Sequence, residues 1–387
     1  MTAPRILQVD SMLSGGGTDD QIAKLAKVLH ASAPSVWVAG PEGRIFSKII
    51  IDSGVPFHVT PREGLAKVRL VMALAVLIRK ERIGIVHAHH GRDYWPAILA
   101  ARLSALHPII VLSRHMAKSP SSLASRHFLL GQCDALIAVS EFVAKVLREG
   151  VYEPQSPEPE RRSRAPLRGN LAKIQVIHGG IDTAKFHPAE AAGKRAELGL
   201  QPGNYAFAVV GGYDFPRGKG QREFLSAAAR IHATVPQARF LIIGRGNMAE
   251  LLQADITRLG LVGKAWLTGH ASDMPQVMNA IDCLVHPQVG TEALGLVVCE
   301  AHACGKPVIA SALDGIPEAF AATQFGQLVP AEDIEALAGA MARQALEPAA
   351  GPEQAAKMHR QVGEAFSLEQ MGAKVLRLYD DLLSCAH

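Results

Sequence analysis

The sequence predicts an α/β protein made of two doubly wound, Rossmann-like units, and three observations carry that expectation. Short β-branched runs alternate with amphipathic helical stretches, as in parallel sheets covered on both faces. The alternation runs through twice, with a junction near residue 180. The 387 residues exceed one ordinary core and suffice for two.

In the first half the strands read ILQVD (6–10), SVWVA (35–39), PFHVT (56–60), IGIVHAH (83–89), PIIVLS (108–113), DALIAVS (134–140) and KIQVIH (173–178). Stretches such as Gln21–His30, Leu65–Glu81 and Glu141–Glu149 are helical in period. The second half repeats the pattern with AFAVVG (206–211), RFLIIG (239–244), KAWLTG (264–269), CLVHP (283–287), KPVIAS (306–311) and GQLVP (326–330). The expected boundaries are a first domain over 1–180, a linker over 181–204, a second domain over 205–365, and a final helix over 366–387 that packs back toward the first domain. Open parallel sheets bind ligands at the carboxyl ends of their strands, so two of them facing one another place a site in the crevice between.

Residues 152–170 (YEPQSPEPERRSRAPLRGN) break the alternation; they are rich in proline and charge and read as a mobile surface loop. The sharper alternative gives Arg161, Arg162, Arg164 and Arg168 a part in holding an anionic acceptor or membrane.

Composition narrows the class. At 48% hydrophobic and 20% charged the chain is globular rather than disordered. No run of about 18 apolar residues is present; the longest candidate, Leu65 to Ile78, is broken by Lys67 and Arg69. The first strand begins almost at once, without a basic leader or small-residue cleavage site, which argues against export and for the cytoplasm. Cys133, Cys283, Cys299, Cys304 and Cys385 form no CxxC pair and no ligand spacing, so buried free thiols are expected. A net charge of +4 allows attraction to phosphate or anionic lipid without requiring nucleic acid.

The strongest chemical signal is EALGLVVCE (292–300), in which Glu292 and Glu300 flank Gly295 where a loop becomes a helix. The free N–H groups at that helix start suit a diphosphate. A carboxylate nearby suits the paired hydroxyls of a ribose. This spacing resembles the E-x7-E motif of the family 4 retaining glycosyltransferases, whose fold is GT-B. The resemblance extends along nearly the whole chain: SGGGTD (14–19) is similar to the family's glycine loop, and DALIAVS (134–140), VIHGGID (176–182), LIIGRGN (241–247), LTGHASDMP (267–275) and AIDCLVHP (280–287) follow in the family's order. The resemblance is to bacterial lipopolysaccharide-core and glycolipid hexosyltransferases.

The resemblance implies roles for individual residues. Glu300 would bind the donor ribose. Glu292 and the backbone of Ala293, Leu294 and Gly295 would hold hydroxyls of the transferred sugar, and Gly295 and Leu296 would offer amides to the phosphates. Gly16 and Gly17 would let the backbone approach the diphosphate, where a side chain would stand in the way; the plainer reading of that loop is a tight strand-to-helix turn. Arg217 and Lys219, in GGYDFPRGKGQ (211–221), stand where the family places a basic pair, and fixed cations stabilise a departing nucleoside diphosphate. His115, in VLSRHM (111–116), matches a histidine that reaches the transferred sugar. His87, His89 and His90 look like a metal cluster, but successive strand residues face opposite ways, so one or two are expected to line the cleft beside Arg92 and Asp93.

No Asp-x-Asp is set to clamp a metal-bound diphosphate, so no metal and no cofactor are expected; the nucleotide sugar is a substrate. Retention by front-face attack, with the leaving phosphate taking the acceptor's proton, follows from the resemblance. Two departures stand out: Ala293 replaces a usual glycine, and Tyr213 stands where the family usually has arginine. They bear on donor identity, for which UDP-hexose is the default and ADP-heptose and GDP-mannose are alternatives. The acceptor is expected to be a glycan or a lipid-linked sugar. The stretch from Pro61 to Arg82 reads either as a plain surface helix or as a peripheral dock on the inner face of the cytoplasmic membrane.

Rival readings are weaker. SGGGTDD is not the G-x-G-x-x-G of a nicotinamide-dependent dehydrogenase, and no acidic residue ends a second strand ~20 residues later. A phosphorylase would need a cofactor lysine and a far larger chain. A GT-B epimerase or a non-catalytic binding protein remains as the alternative.

Overall fold

The structure is a computed structural model that describes residues 4–13, 15–32, 35–60 and 66–385. Ser14 of the glycine loop and residues 61–65 of the expected amphipathic stretch lie outside the described residues. The chain divides into two compact units, Met1–Gly180 with Leu368–His387, and Ile181–Ser367.

The first unit begins β1 (Ile6–Val9), α1 (Gly17–Ser32), β2 (Val36–Gly40), α2 (Ile45–Asp52), β3 (Phe57–Val59) and α3 (Ala66–Lys80). It continues β4 (Ile85–Ala88), α4 (Tyr94–Leu103), β5 (Ile109–Arg114), α5 (Leu123–Phe128), β6 (Ala135–Ala138), α6 (Glu141–Arg148), α7 (Pro159–Arg162) and β7 (Ile174–Val176). The second unit opens with α8 (Ala192–Glu197), β8 (Tyr205–Val210), α9 (Gln221–Ile231), β9 (Ala238–Ile243), α10 (Ala249–Arg258), β10 (Ala265–Gly269) and α11 (Met274–Ala280). Then follow β11 (Cys283–His286), α12 (Leu296–Ala303), β12 (Val308–Ser311), α13 (Ile316–Ala321), β13 (Gly326–Val329), α14 (Ile334–Gln344) and α15 (Pro352–Phe366), before α16 (Leu368–Cys385) ends the described chain.

Each strand expected from the sequence is present. The seven-stranded sheet has the order β3-β2-β1-β4-β5-β6-β7 and the six-stranded sheet the order β10-β9-β8-β11-β12-β13. Their paired strands run parallel, as in β1 with β2 and β4, or β8 with β9 and β11. Central strands such as β1, β4 and β11 are buried along their whole length, while edge strands β3 and β13 are partly exposed. That is why the central runs read as mostly apolar, broken only by Gln8, His87 and His286 in these three strands. In both sheets the order reverses next to the first strand, at β1/β4 and at β8/β11. These are the switch points where an open parallel sheet leaves room for a ligand.

Two expectations are corrected. Residues 152–170 are more than a bare loop: Val151 bridges Arg164, α7 forms within the stretch, and Arg164, 1% exposed, pairs with Glu153 at 2.8 Å and lies over the Phe142 ring. Arg161 also pairs with Glu153, and Arg162 donates to the Ser156 carbonyl. These contacts are ion pairs and one buried guanidinium rather than an apolar period, so the sequence pattern carried no sign of them. Residues 181–204 are likewise part of the second unit and not a free linker, since Ile181, Phe186 and Leu200 lie in its core.

The final helix belongs to the first unit, where Met371, Val375 and Tyr379 pack among Leu25, Leu29 and Ile177. Cys133, Cys283, Cys299 and Cys304 are buried free thiols and Cys385 is exposed. Among the described residues no helix is long and apolar enough to cross a membrane.

Candidate functional site

The switch point of the second unit brings together the loops that follow β8 and β11. The first makes its turn through Gly211 (φ +137°), Gly218 (φ +60°) and Gly220 (φ +84°). A Cβ on Gly220 would lie 1.9 Å from the Pro287 carbonyl oxygen, so only glycine lets the two loops pass this closely. The stem of Lys219 lies against Gly211, and its Nζ donates to Glu292 Oε2 at 2.7 Å. Glu292 precedes α12, which starts after Gly295 in the left-handed region (φ +85°). The Glu292 amide donates to Asp314 Oδ2, and Oε1 accepts from the Ala293 amide.

The electrostatics follow from burial. Burial alone would raise the Glu292 carboxyl, but the Lys219 ammonium and His286 hold it below the ordinary carboxylate value. Burial pushes the His286 imidazole down to about 4, against the pull of Glu292. His286 is 1% exposed, neither ring nitrogen has a hydrogen-bond partner, and Nε2 lies 3.8 Å from Glu292 Oε2. The sequence reading missed this histidine; its place at the carboxyl end of β11, next to the switch point, was the signal available. Glu300 lies half-buried on α12, five residues beyond Gly295.

Arg217 and Lys219 diverge. Arg217 stands 3.6 Å from Glu332 and 3.9 Å from Glu223, so among the expected basic pair it is Lys219 that meets Glu292. Tyr213, in the place of an expected arginine, is buried in the core with Phe224 and Met248. Ala293 is half-buried, and its carbonyl would lie 2.0 Å from a Cβ on Gly315, which explains a glycine there.

The switch point of the first unit carries the glycine loop after β1 and the turn after β4. Gly15 (φ +146°) and Gly16 (φ +105°) adopt backbone that side chains rarely take, and a Cβ at 15, 16 or 17 would meet nothing within 4 Å. The loop is therefore an open surface rather than one packed against its neighbours. Asp19 Oδ2 accepts from the Gly15 amide, and its Oδ1 meets His90 Nε2 at 2.9 Å, with Asp10 3.5 Å from the same nitrogen. Among the described residues Asp10, Asp19 and His90 form the group whose spacing could hold a metal ion. Burial pushes Asp10 up to about 7 against the pull of His90. Burial opposes the charged form of His90 as well, yet its bond to Asp19 and the charges of Asp10 and Asp93 hold its pKa above the ordinary value.

Of the HAHH run, His90 lines a large cavity in this unit beside Gly16, Gly17 and Arg92. His87 and His89 point inward, with ring centroids 4.1 Å apart. They belong to a chain of hydrogen bonds that ends at His115. His115 Nε2 lies 3.3 Å from His89 Nδ1, and His89 Nε2 bonds Gln8 Oε1. The Gln8 amide donates to the Tyr379 hydroxyl, which lies 2.6 Å from His87 Nδ1, and His87 Nε2 lies 2.7 Å from Ser113 Oγ. One set of neutral tautomers satisfies the chain: His115 Nε2–H donates to His89, His89 Nε2–H to Gln8, Tyr379 O–H to His87, and His87 Nε2–H to Ser113. Burial pushes His87 and His115 down to about 3, with His90 and the Arg114 guanidinium adding to it at His115. His89 lies well below its ordinary value for the same reason. Gln8 and Tyr379 were invisible as partners because 371 residues separate them.

Two open parallel sheets of this order, each with a glycine-bearing loop and a charged residue at its switch point, define a GT-B protein. Residues 205–345 match the family described as Glycosyl transferases group 1, and residues 15–155 match Glycosyltransferase Family 4. Both units therefore match glycosyltransferase families. It is 28% identical over 307 residues to a D-inositol 3-phosphate glycosyltransferase of Segniliparus rotundus, covering 71% of this chain and 64% of that protein. The chain thus spans less than two thirds of that relative's length. It is also 28% identical over 279 residues to an Escherichia coli UDP-Gal:alpha-D-GlcNAc-diphosphoundecaprenol alpha-1,3-galactosyltransferase, covering 70% and 69% of the two chains. A Rickettsia africae glycosyltransferase structure superposes with TM-score 0.80 at 19% identity, over 99% of each chain. Anabaena HepE, solved with UDP and glucose, gives 0.77 at 20% identity over 98% and 100%. At these identities the structural likenesses speak to the fold.

Proposed function

We propose that the protein is a retaining glycosyltransferase that moves a hexose from a UDP-sugar to a glycan or lipid-linked acceptor without a metal ion. The observation that carries this reading is the Lys219–Glu292 pair at 2.7 Å beside the start of α12. A cation and a hydrogen-bonding carboxylate meet at the switch point of the second sheet, next to the free amides of Gly295 and Leu296. In this reading Glu300 holds the ribose, Glu292 the sugar hydroxyls, and Lys219 the charge that builds on the departing diphosphate. Arg217 stands two residues earlier on the same loop and adds to that field. Gly16 and Gly17 leave an open, side-chain-free loop at the switch point of the first unit, suited to close approach by a phosphate. His115, neutral and tautomerically fixed, offers Nδ1 as an acceptor to a sugar hydroxyl. The acceptor oxygen attacks the anomeric carbon on the face from which the diphosphate departs, and a leaving phosphate oxygen takes the acceptor's proton.

UDP is favoured as the carrier by HepE, solved with UDP, and by the Escherichia coli relative, named for UDP-Gal. The test is a thermal-shift screen with UDP, GDP, ADP and their sugar conjugates in EDTA. A ligand at 100 times its dissociation constant stabilises by about 2.7 kcal/mol. UDP is expected to raise the melting point, and Glu300→Ala to abolish the rise. A screen in which no nucleotide binds overturns the reading, and an inverted anomeric product by NMR overturns retention.

A further inference from the structure

The first unit carries an open cavity of about 1250 Å³, larger than the ~300–1,000 Å³ of ordinary small-ligand sites and far more than one sugar fills. Its lining is divided in character. One part is polar and cationic: six basic residues, Arg114 and Arg126 among them, stand against Asp19 and Glu160, and five serines complete it. Both acids are already engaged, Asp19 with His90 and Glu160 with Lys118. Arg114, itself buried, donates to the Lys118 carbonyl, and the buried Nε of Arg126 has no hydrogen-bond partner. A desolvated guanidinium N–H left unpaired is costly, and an anionic oxygen is the acceptor that suits it best.

The other part of the lining is apolar and faces outward. Val68 and Met72 on α3, and Leu99 and Leu103 on α4, stand four residues apart on two helices that pack together, and each is between 46% and 71% exposed. Val76 continues the α3 row. Isolated exposed aliphatics are ordinary; a continuous row on adjacent helices that runs into a cavity marks a surface with an apolar ligand.

We propose that this cavity takes the acceptor as a phosphate-bearing lipid, with the phosphate against Arg114 and Arg126 and the hydrocarbon leaving along the α3–α4 row. The polar part alone would suit a soluble phosphate and the row alone a neutral lipid; one cavity joining both fits the two joined in one molecule. That the ligand is the acceptor rests on the transferase reading; the binding chemistry does not.

The test uses the full chain in detergent micelles with UDP saturating, and measures binding of farnesyl phosphate, inorganic phosphate and farnesol by calorimetry. Farnesyl phosphate is expected to bind at least tenfold more tightly than either part. Met72→Asp and Leu99→Asp, both at exposed positions, should weaken farnesyl phosphate at least tenfold while leaving UDP binding unchanged. Arg126→Gln should weaken farnesyl phosphate and inorganic phosphate alike. If inorganic phosphate binds as well as farnesyl phosphate, the ligand is a soluble phosphate and the proposal falls; it falls also if farnesol does, or if the aspartates have no effect. UDP binding is read separately, so loss of the donor reading is distinguished from loss of this one.

Discussion

Lys219 Nζ and Glu292 Oε2 stand 2.7 Å apart across 73 residues of chain, joining the two loops of the second switch point. The pair is partly exposed, so its stabilising effect is small, about 1 kcal/mol. Its effect on chemistry is expected to be much larger. Lys219→Ala and Glu292→Gln should each lower kcat by roughly 10²–10³, the usual loss when one preorganised charge partner is removed. The double variant should lose less than the product of the two, because the partners act together. A Lys219→Ala protein with unchanged kcat would show the pair to be structural.

Tyr379→Phe removes one hydroxyl from the chain that joins Gln8 to His87. The Gln8 amide then lacks an acceptor and His87 Nδ1 lacks a donor, at a cost of about 1–3 kcal/mol in a buried setting. Urea unfolding should show that loss. Nitrogen NMR of the imidazoles should show His87 and His89 losing their single tautomer. Unchanged spectra would mean that the final helix does not set the ring orientations.

The buried histidines make folding sensitive to acid. His87 and His115 are held at about 3 in the folded chain and return to about 6.5 on unfolding. The folded state keeps them neutral, so the unfolded state binds more protons between those values. Their contribution is complete above pH 6.5 and is lost progressively as pH falls toward 3. Asp10, raised to about 7, acts in the opposite sense, weakening the fold as pH rises from about 4 to 7. The histidine effect is isolated by comparison: a His87→Gln variant should show a shallower fall in melting temperature between pH 6.5 and 4 than the parent. Parallel curves would remove His87 from the account.

Two glycines separate packing from function. Gly220→Ala places a methyl group 1.9 Å from the Pro287 carbonyl at φ +84°, and should destabilise by at least about 2–3 kcal/mol. At Gly17 a Cβ meets nothing and φ is not positive, so Gly17→Ala should leave stability the same or raise it by about 0.4–1 kcal/mol. If the glycine loop meets the donor diphosphate, Gly17→Ala nevertheless lowers activity at least tenfold. Full activity in Gly17→Ala would reduce the loop to a turn.

The sequence by itself determined the alternation of strands and helices, the two-unit plan and the positions of Glu292, Glu300 and Lys219 beside glycine-bearing turns. These are local matters: a buried parallel strand is mostly apolar, and a turn with positive φ favours glycine. Only the tertiary structure decided which charges meet. It paired Lys219 with Glu292 while sending Arg217 toward Glu223 and Glu332, and it buried Arg164 against Glu153 in a stretch that looked unstructured. It also turned Tyr213 into the core, brought Tyr379 to His87, and left Val68 and Met72 facing outward on a helix whose period already supplied an inner face. Each of these outcomes depends on a partner distant in the chain, and local spacing carries no information about which distant group will be adjacent once the chain has packed.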